Sequence, residues 1–420
     1  MKDKANISGL SIVLVVFLFG AFFSSFGIRL SLQIPLVLIL LIGYVLISWK
    51  LYLNTIIVQY FVFFAWVTVL FFRGNADGKV DAYIEYIIAT VFMLGVYYYA
   101  LYHGITYLKY YIYFFIFFSF VIAVLEINFG LVLRYSGKDL DLSYRKNFAN
   151  MPMSTFYNQN DFATAIGMLF VYIYSYCKIM KLRIRYLILF CCLFIAYFAG
   201  SRGVQIAFVL LPIVYSIVNK APIRAVVKLL GFYVFGFMFL YYLFRNNLFS
   251  SYNMGKYLAT VESIGHGTAD ASSIYRFSMI FYTLVNLSRL VIGFGPDGST
   301  VFFAQFPIVN PHNFFIEILV DFGFLGLLLA LSIFITALRK NYKFLREDIS
   351  DNLKASCKAT IILLYLFLLF SVVPSSLLSN WVFAWLPIYL TLINIGSYKR
   401  EVSLKNSFEA HGYKAILRQT

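Results

Sequence analysis

Long apolar runs recur along almost the whole sequence. A helix needs about 20 mostly apolar residues to cross the hydrocarbon core of a bilayer, and about twelve runs of this kind occur. They lie near residues 10–27, 30–49, 51–72, 82–102, 106–127, 161–177, 186–200, 204–219, 229–244, 313–338, 359–373 and 381–395. With 62% hydrophobic and 12% charged residues, a soluble fold could not cover its apolar surface. The sequence predicts an all-α polytopic membrane protein whose single integral membrane domain extends over residues 1–420.

The basic residues are unevenly distributed between the segments that join these runs. With the N-terminus in the cytoplasm and twelve helices, 22 of the 34 Lys and Arg residues fall on the cytoplasmic side. This asymmetry is typical of membrane proteins, and an odd number of helices would remove it. Lys2 and Lys4 precede the first run as in a signal peptide, but without a convincing cleavage site we expect a retained helix. Both termini are therefore predicted to be cytoplasmic, with a tail over about residues 396–420.

Two extracytoplasmic segments are long, over about residues 128–160 and 245–312. Loops longer than about 15 residues are uncommon unless they are functional or disordered. Within the second, residues 272–290 repeat apolar side chains at helical spacing, which predicts an amphipathic helix that lies on the membrane or lines a cavity. The later run Gly293-Phe-Gly295-Pro-Asp-Gly298 matches a dinucleotide fingerprint by letter only, and we expect it to form a tight turn.

Arg202 is the first of three candidate functional residues. It lies in Gly200-Ser-Arg202-Gly203 at the outer end of the seventh predicted helix, with no acidic residue near it in sequence. Placing an arginine side chain close to the hydrocarbon core of the membrane costs free energy, so such an arginine indicates an anionic partner. The alternative is an arginine whose side chain extends to the interface.

Arg276 interrupts the apolar face of the amphipathic helix. A guanidinium group binds phosphate in a bidentate manner, which suits this residue to a phosphate ligand. The alternative is a solvated loop arginine, and Arg289 further along is expected to be interfacial.

His312 lies in Asn310-Pro311-His312-Asn313, which opens the tenth predicted helix. The positive end of a helix dipole disfavours imidazolium, so a neutral ring could accept a proton at neutral pH. The alternative is a helix cap or a structural hydrogen bond. Gly323 and Gly326, further along, are expected to serve helix packing.

In their order along the chain, these motifs resemble the O-antigen polymerase/ligase family, the Wzy-type polysaccharide polymerases and their lipid A-core ligase relatives. The matching segments are Tyr157-Asn-Gln-Asn-Asp-Phe162, Gly200-Ser-Arg202-Gly203, Arg276, Asn310-Pro-His312-Asn313 and Phe322-Gly-Phe-Leu-Gly326. The resemblance implies a GT-C-like helical fold. It also implies transfer of glycans carried on undecaprenyl pyrophosphate at the outer face of the bacterial inner membrane, without metal, cofactor or nucleic acid.

The resemblance implies a role for each candidate residue. Arg202 and Arg276 would bind the donor pyrophosphate, and His312 would act as the general base toward the acceptor hydroxyl. Further substrate contacts would come from four residues: Tyr157, Asn158, Asn160 and Asn313. A chain-length-regulating copolymerase is a further candidate partner.

The motif contexts favour a polymerase, which moves a growing glycan onto the next lipid-linked repeat. A ligase that transfers the glycan to lipid A-core is the closest alternative. A lipid-linked oligosaccharide flippase is the third, but it should carry charges in the middle of several helices, and here only Glu85 and Glu317 are candidates.

Overall fold

The computed structural model describes most of the chain from residue 53 onward. It covers residues 53–73, 80–105, 108–129, 152, 159–176, 182–199, 201–220, seven positions between 224 and 238, 271–306, 311, 313–372 and 381–416. The helices are α1 Thr55–Arg73, α2 Val80–His103, α3 Leu108–Phe129, α4 Gln159–Tyr176, α5 Leu182–Phe198, α6 Arg202–Asn219, α7 Ala271–Val285, α8 Gly298–Phe302, α9 Phe314–Phe344, α10 Asp351–Phe370, α11 Trp381–Ala384 and α12 Leu386–Ile416. A 3-10 helix, Leu287–Leu290, follows α7.

The regular structure of these residues is entirely helical. Five helices, α1, α2, α3, α9 and α10, are long and apolar enough to cross a membrane, and the shorter apolar stretches Tyr186–Phe198 and Gly203–Asn219 accompany them. Each predicted run that falls within the described residues is helical, although the run at 381–395 is divided between α11 and α12 and the run at 313–338 is broken. The runs at 10–27 and 30–49, and most of 229–244, lie outside them. A polytopic helical membrane protein is confirmed, and the count of twelve stays a prediction.

The basic connecting segments gather at one end of the helix bundle, which we name the basic end. Arg400 on α12 donates to the carbonyl oxygen of His103 at the end of α2, at 3.0 Å. Lys405 donates to Asp348 between α9 and α10, at 2.6 Å. The hydrogen bond and charge of Lys405 lower the pKa of the exposed Asp348 carboxyl. The sequence assigns Arg400 and Lys405 to the cytoplasmic side, and that assignment stays a prediction.

Helix α9 is broken rather than continuous. Gly323 has a φ of 69° and a ψ of −171°, far from helical values, so α9 consists of a short first segment and a long second one. In a straight helix the rings of Phe314 and Phe334 would be about 30 Å apart, but their centroids lie 6.0 Å apart. The two segments therefore fold back on each other, and the predicted single helix over 313–338 is wrong.

A buried polar network near the basic end joins four helices. Asn394 on α12 is its centre: it accepts from Ser356 at 2.6 Å and donates to Asn341 at 2.8 Å and to Thr360 at 3.1 Å. The hydroxyl of Tyr172 on α4 extends the network to Ser356. Since lipid offers no competing hydrogen bonds, these side chains specify how α4, α9, α10 and α12 pack.

Replacing Asn394 with leucine should destabilise the protein by about 1–3 kcal/mol, because it leaves buried polar groups without their partner. The midpoint of thermal or detergent-induced unfolding measures this change. Asn219→Leu is the matched control, since Asn219 donates to the carbonyl oxygen of Tyr215 within its own helix. Equal midpoints for the two variants would show that the network does not hold the helices together.

Candidate functional site

Two glycines from distant parts of the chain meet at the break in α9. Gly293 and Gly323 both have positive φ angles, 89° and 69°. A Cβ atom on Gly323 would lie 2.4 Å from the carbonyl carbon of Ile292, and one on Gly293 would lie 2.4 Å from the nitrogen of Gly323. The backbones touch so closely that no side chain fits at either position. We name this contact the glycine knuckle.

The carbonyl oxygens that the break frees are bonded by neighbouring segments. Phe294 donates its N–H to Val320 at 3.0 Å, and Gly295 donates to Asp321 at 2.7 Å. From the other side, the indole nitrogen of Trp66 on α1 donates to the carbonyl of Phe322 at 2.8 Å. Unbonded carbonyls inside a membrane protein are costly, so these three bonds make the break tolerable. They also fix α1 and residues 293–295 against α9.

The side chain of Asp321 adds a fourth bond to the same place. Its Oδ1 atom accepts from the backbone N–H of Ser299 at the start of α8, at 2.8 Å. Asp321 is 3% exposed, and the acidic side chains of Glu317 and Asp297 are near enough to disfavour a negative charge on it. The turn from Gly295 to Gly298 closes just before this bond, with an N–H to O distance of 2.9 Å. The tight turn that the sequence predicts here is confirmed.

Helix α7 carries Arg276 and packs on the short first segment of α9. Met279 of α7 shares a buried cluster with Leu319 and Val320. Arg276 is half-buried, and its Nε atom is enclosed by protein. The predicted amphipathic helix is confirmed, but much of the predicted apolar face turns outward: Phe277 is 73% exposed and Phe281 68%.

The starts of α6 and α9 both border the C-terminal end of α10. A Cβ on Gly167 of α4 would meet Phe370 of α10 at 2.8 Å and Val204 of α6 at 2.9 Å. The next residue of α10, Ser371, accepts from the backbone N–H of Phe314 at 3.0 Å. Arg202 is the first residue of α6, two positions before Val204. It therefore begins a helix that packs near Phe370, and the next residue, Ser371, anchors the start of α9.

The predicted site residues divide into described and undescribed ones. His312, Tyr157 and Asn158 lie outside the described residues, as does the side chain of Arg202. Asn160 is half-buried in the first turn of α4. Asn313 is the N-cap of α9: its Oδ1 accepts from Phe315 at 3.0 Å and Ile316 at 3.2 Å. The helix that carries Arg276 packs on the short first segment of α9, which Asn313 caps. The start of α6 lies near Phe370 at the end of α10, and α10 separates it from α9.

Sequence reasoning missed the partnership between Gly293 and Gly323. The sequence predicts a tight turn at Gly293 and helix packing at Gly323, but it does not predict that the two glycines touch. Trp66 and Asp321 were missed as anchors because nothing in their local sequence indicates a distant backbone partner. A positive φ is compatible with many glycines, so only the contact itself identifies the pair.

The fold and the site together define a helical membrane protein whose polar features gather around a broken helix. The sequence profile of the O-antigen ligase family matches residues 187–331. This segment begins in α5 and ends in α9, so it includes Arg202, Arg276 and His312. The resemblance to the O-antigen polymerase/ligase family is confirmed.

A curated relative supports the same family. The chain is 24% identical over 283 residues to the teichuronic acid biosynthesis protein TuaE of Bacillus subtilis (strain 168). The match covers 63% of this chain and 55% of that relative, so the chain spans about half the length of the curated protein. Both matches are to proteins whose descriptions refer to bacterial polysaccharides, O-antigen in one case and teichuronic acid in the other.

Alanine at Gly323 or Gly293 should destabilise the site, because a Cβ would overlap backbone atoms and a positive φ is itself unfavourable for alanine. We expect a loss of about 2 kcal/mol or more in unfolding free energy from strain and steric overlap. Gly231→Ala is the matched control, since a Cβ there would meet nothing within 4 Å. If all three variants unfold alike, the knuckle is not a constraint on the fold.

Proposed function

We propose that this protein is a polysaccharide polymerase. It would transfer a growing glycan from undecaprenyl pyrophosphate onto a lipid-linked repeat unit at the outer face of the bacterial plasma membrane, with both termini in the cytoplasm. The observation that supports this most is the convergence of three sequence motifs. The Arg276 helix packs on the short segment of α9, which starts at Asn313, and the start of α6 after Arg202 reaches the same region through α10.

In this proposal the two arginines stabilise the leaving group. The acceptor hydroxyl attacks the anomeric carbon of the donor sugar, and the bond between that carbon and the pyrophosphate oxygen breaks. Negative charge grows on the departing lipid pyrophosphate, and Arg202 and Arg276 neutralise it. The half-buried position of Arg276 supports this role, because a guanidinium that is partly shielded from water interacts more strongly with an anion.

His312 would remove the proton of the acceptor hydroxyl as the new glycosidic bond forms. In the sequence it directly precedes Asn313, the N-cap of α9, and we infer that its ring would be near the positive end of the short helical segment. That environment favours the neutral ring that a general base requires. Asn313, Asn160, Tyr157 and Asn158 would contact the sugars.

An apolar groove beside Arg276 is suited to the lipid part of the donor. It has a volume of about 440 Å³ and is lined by Phe277, Phe281, Tyr282, Val285 and Phe306. An isoprenoid chain is purely hydrocarbon, and the neighbouring arginine would bind the pyrophosphate at its end. This arrangement also explains why apolar side chains of α7 are exposed.

A ligase that delivers the glycan to a lipid A-core acceptor remains the alternative, because the matching family profile carries the ligase description. A flippase fits less well. Glu85 lies in the second turn of α2 and Glu317 in the first turn of α9, near helix ends rather than at helix centres.

Alanine at Arg202, Arg276 or His312 should reduce chain growth by about a hundredfold or more, in line with the loss of a charge-stabilising group or a general base. The assay incubates purified protein with lipid-linked repeats, without nucleotide, and measures polymer length on a gel. Arg346→Ala, at the basic end, should leave growth unchanged. Undiminished growth in all three site variants would falsify this assignment of the site.

Deletion of the gene distinguishes polymerase from ligase. Loss of a polymerase should leave single repeat units attached to the surface lipid, because transfer to the surface does not depend on polymerisation. Loss of a ligase should remove all attached glycan while long lipid-linked chains accumulate. The measurement is the length distribution of surface and lipid-linked glycan in the deletion strain, with the complemented strain as the control.

A further inference from the structure

A second cavity lies beside the glycine knuckle. It has a volume of about 360 Å³, near the lower end of the ~300–1,000 Å³ range of small-molecule sites. Two arginines line it, Arg73 from the end of α1 and Arg289 from the 3-10 helix, together with Ser288. The backbone of Gly293 forms part of its wall. No role follows for this cavity from the motifs that led to Arg202, Arg276 and His312.

The two arginines come from segments that the knuckle holds in fixed positions. Trp66 precedes Arg73 by two helical turns and is hydrogen-bonded to the carbonyl of Phe322. Leu290, next to Arg289, is fully buried. The other wall is held by the bond from Phe294 to Val320. The backbone segments that carry the two arginines are therefore anchored, and the exposed side chains of Arg73 and Arg289 both border the same space.

The charge of the cavity selects an anion. Among the described residues that line it there are two guanidinium groups and one hydroxyl, and no carboxylate. Two arginines from different directions suit a diphosphate, since each planar guanidinium can bind one phosphoryl group in a bidentate manner. Leu70 and Ile292 add apolar surface where the lipid chain of such a molecule would leave the cavity.

We propose that this cavity binds the diphosphate of a second polyprenyl-linked glycan, the acceptor, while Arg202 and Arg276 bind that of the donor. This inference rests on the proposed polymerase function, because a polymerase joins two lipid diphosphates whereas a ligase uses only one. Arg276 precedes Arg289 by more than two turns of α7 and the 3-10 helix. The two headgroups would thus be separate but adjacent, and their glycans could meet between them.

The test measures binding stoichiometry, which does not depend on catalysis. Full-length protein in nanodiscs of zwitterionic lipid is titrated with undecaprenyl pyrophosphate that carries no sugar, and bound molecules are counted by native mass spectrometry. Wild-type protein should bind two. The R73Q/R289Q double variant should keep one and bind the second about tenfold or more weakly, as expected for lost charge-assisted hydrogen bonds. Arg276→Gln should weaken the other one.

Matched controls keep the outcome interpretable. Arg339→Gln, an exposed arginine at the basic end, should bind two molecules like the wild type. The R73K/R289K variant, which keeps the charge but loses the bidentate geometry, should bind with intermediate affinity.

Three outcomes would overturn the proposal. The first is two bound molecules in R73Q/R289Q with unchanged affinity. The second is a single bound molecule in the wild type, lost in Arg276→Gln, which favours a ligase. The third is displacement of the second molecule by equimolar phosphatidylglycerol, which identifies an ordinary lipid headgroup site. If two molecules bind as proposed but no chain growth occurs, the polymerase function fails while the second diphosphate site stands.

Discussion

Backbone carbonyl groups inside a membrane need hydrogen-bond donors from the protein itself, and the rest of this structure depends on this constraint. A break in a helix frees its last carbonyls, and lipid provides no water to bond them. Here Phe294, Gly295 and Trp66 donate to three consecutive carbonyls, and Ser299 donates to the side chain of Asp321. The break is thus possible only because α1 and the segment after α7 are held against it. Each of those segments also carries an arginine, Arg73 on α1 and Arg289 in the 3-10 helix, to the same cavity.

The two ends of the molecule have different chemistry, which relates fold to function. The basic end joins its helices through the ion pair of Lys405 with Asp348, the hydrogen bond from Arg400 to His103, and a buried polar network centred on Asn394. The opposite end buries carboxylates within helix ends, among them Glu126, Asp161 and Asp321. There the broken helix, the half-buried Arg276 and two cavities lie together. The basic end secures the bundle, and the opposite end provides the polar surroundings in which we propose that transfer between lipid-linked glycans takes place.

Much of the fold could be predicted from the sequence because lipid requires long apolar runs and permits few alternatives to the helix. The helices α1 to α6 agree with the predicted runs to within a few residues, and the amphipathic α7 lies where its period indicates. The broken α9 could not be predicted, since the run around Gly323 stays apolar enough to span a membrane despite Glu317 and Asp321, and a single glycine is common in membrane helices. For the site, Arg276 could be found by its contrast with an apolar face. Arg73 could not, because an arginine at the end of a span is expected for purely interfacial reasons.

By itself, the sequence determined the helical membrane class, the charge asymmetry between the connecting segments and the motifs that resemble the O-antigen polymerase/ligase family. These are local properties, set by hydrophobicity, charge and short patterns of residues. Only the tertiary structure decided that α9 folds back at Gly323, that Gly293 fits against it, and that Arg73 and Arg289 line one cavity. Those facts depend on contacts between residues more than twenty positions apart in the sequence. Backbone approach and hydrogen-bond pairing at such distances leave no periodic signal in a single chain.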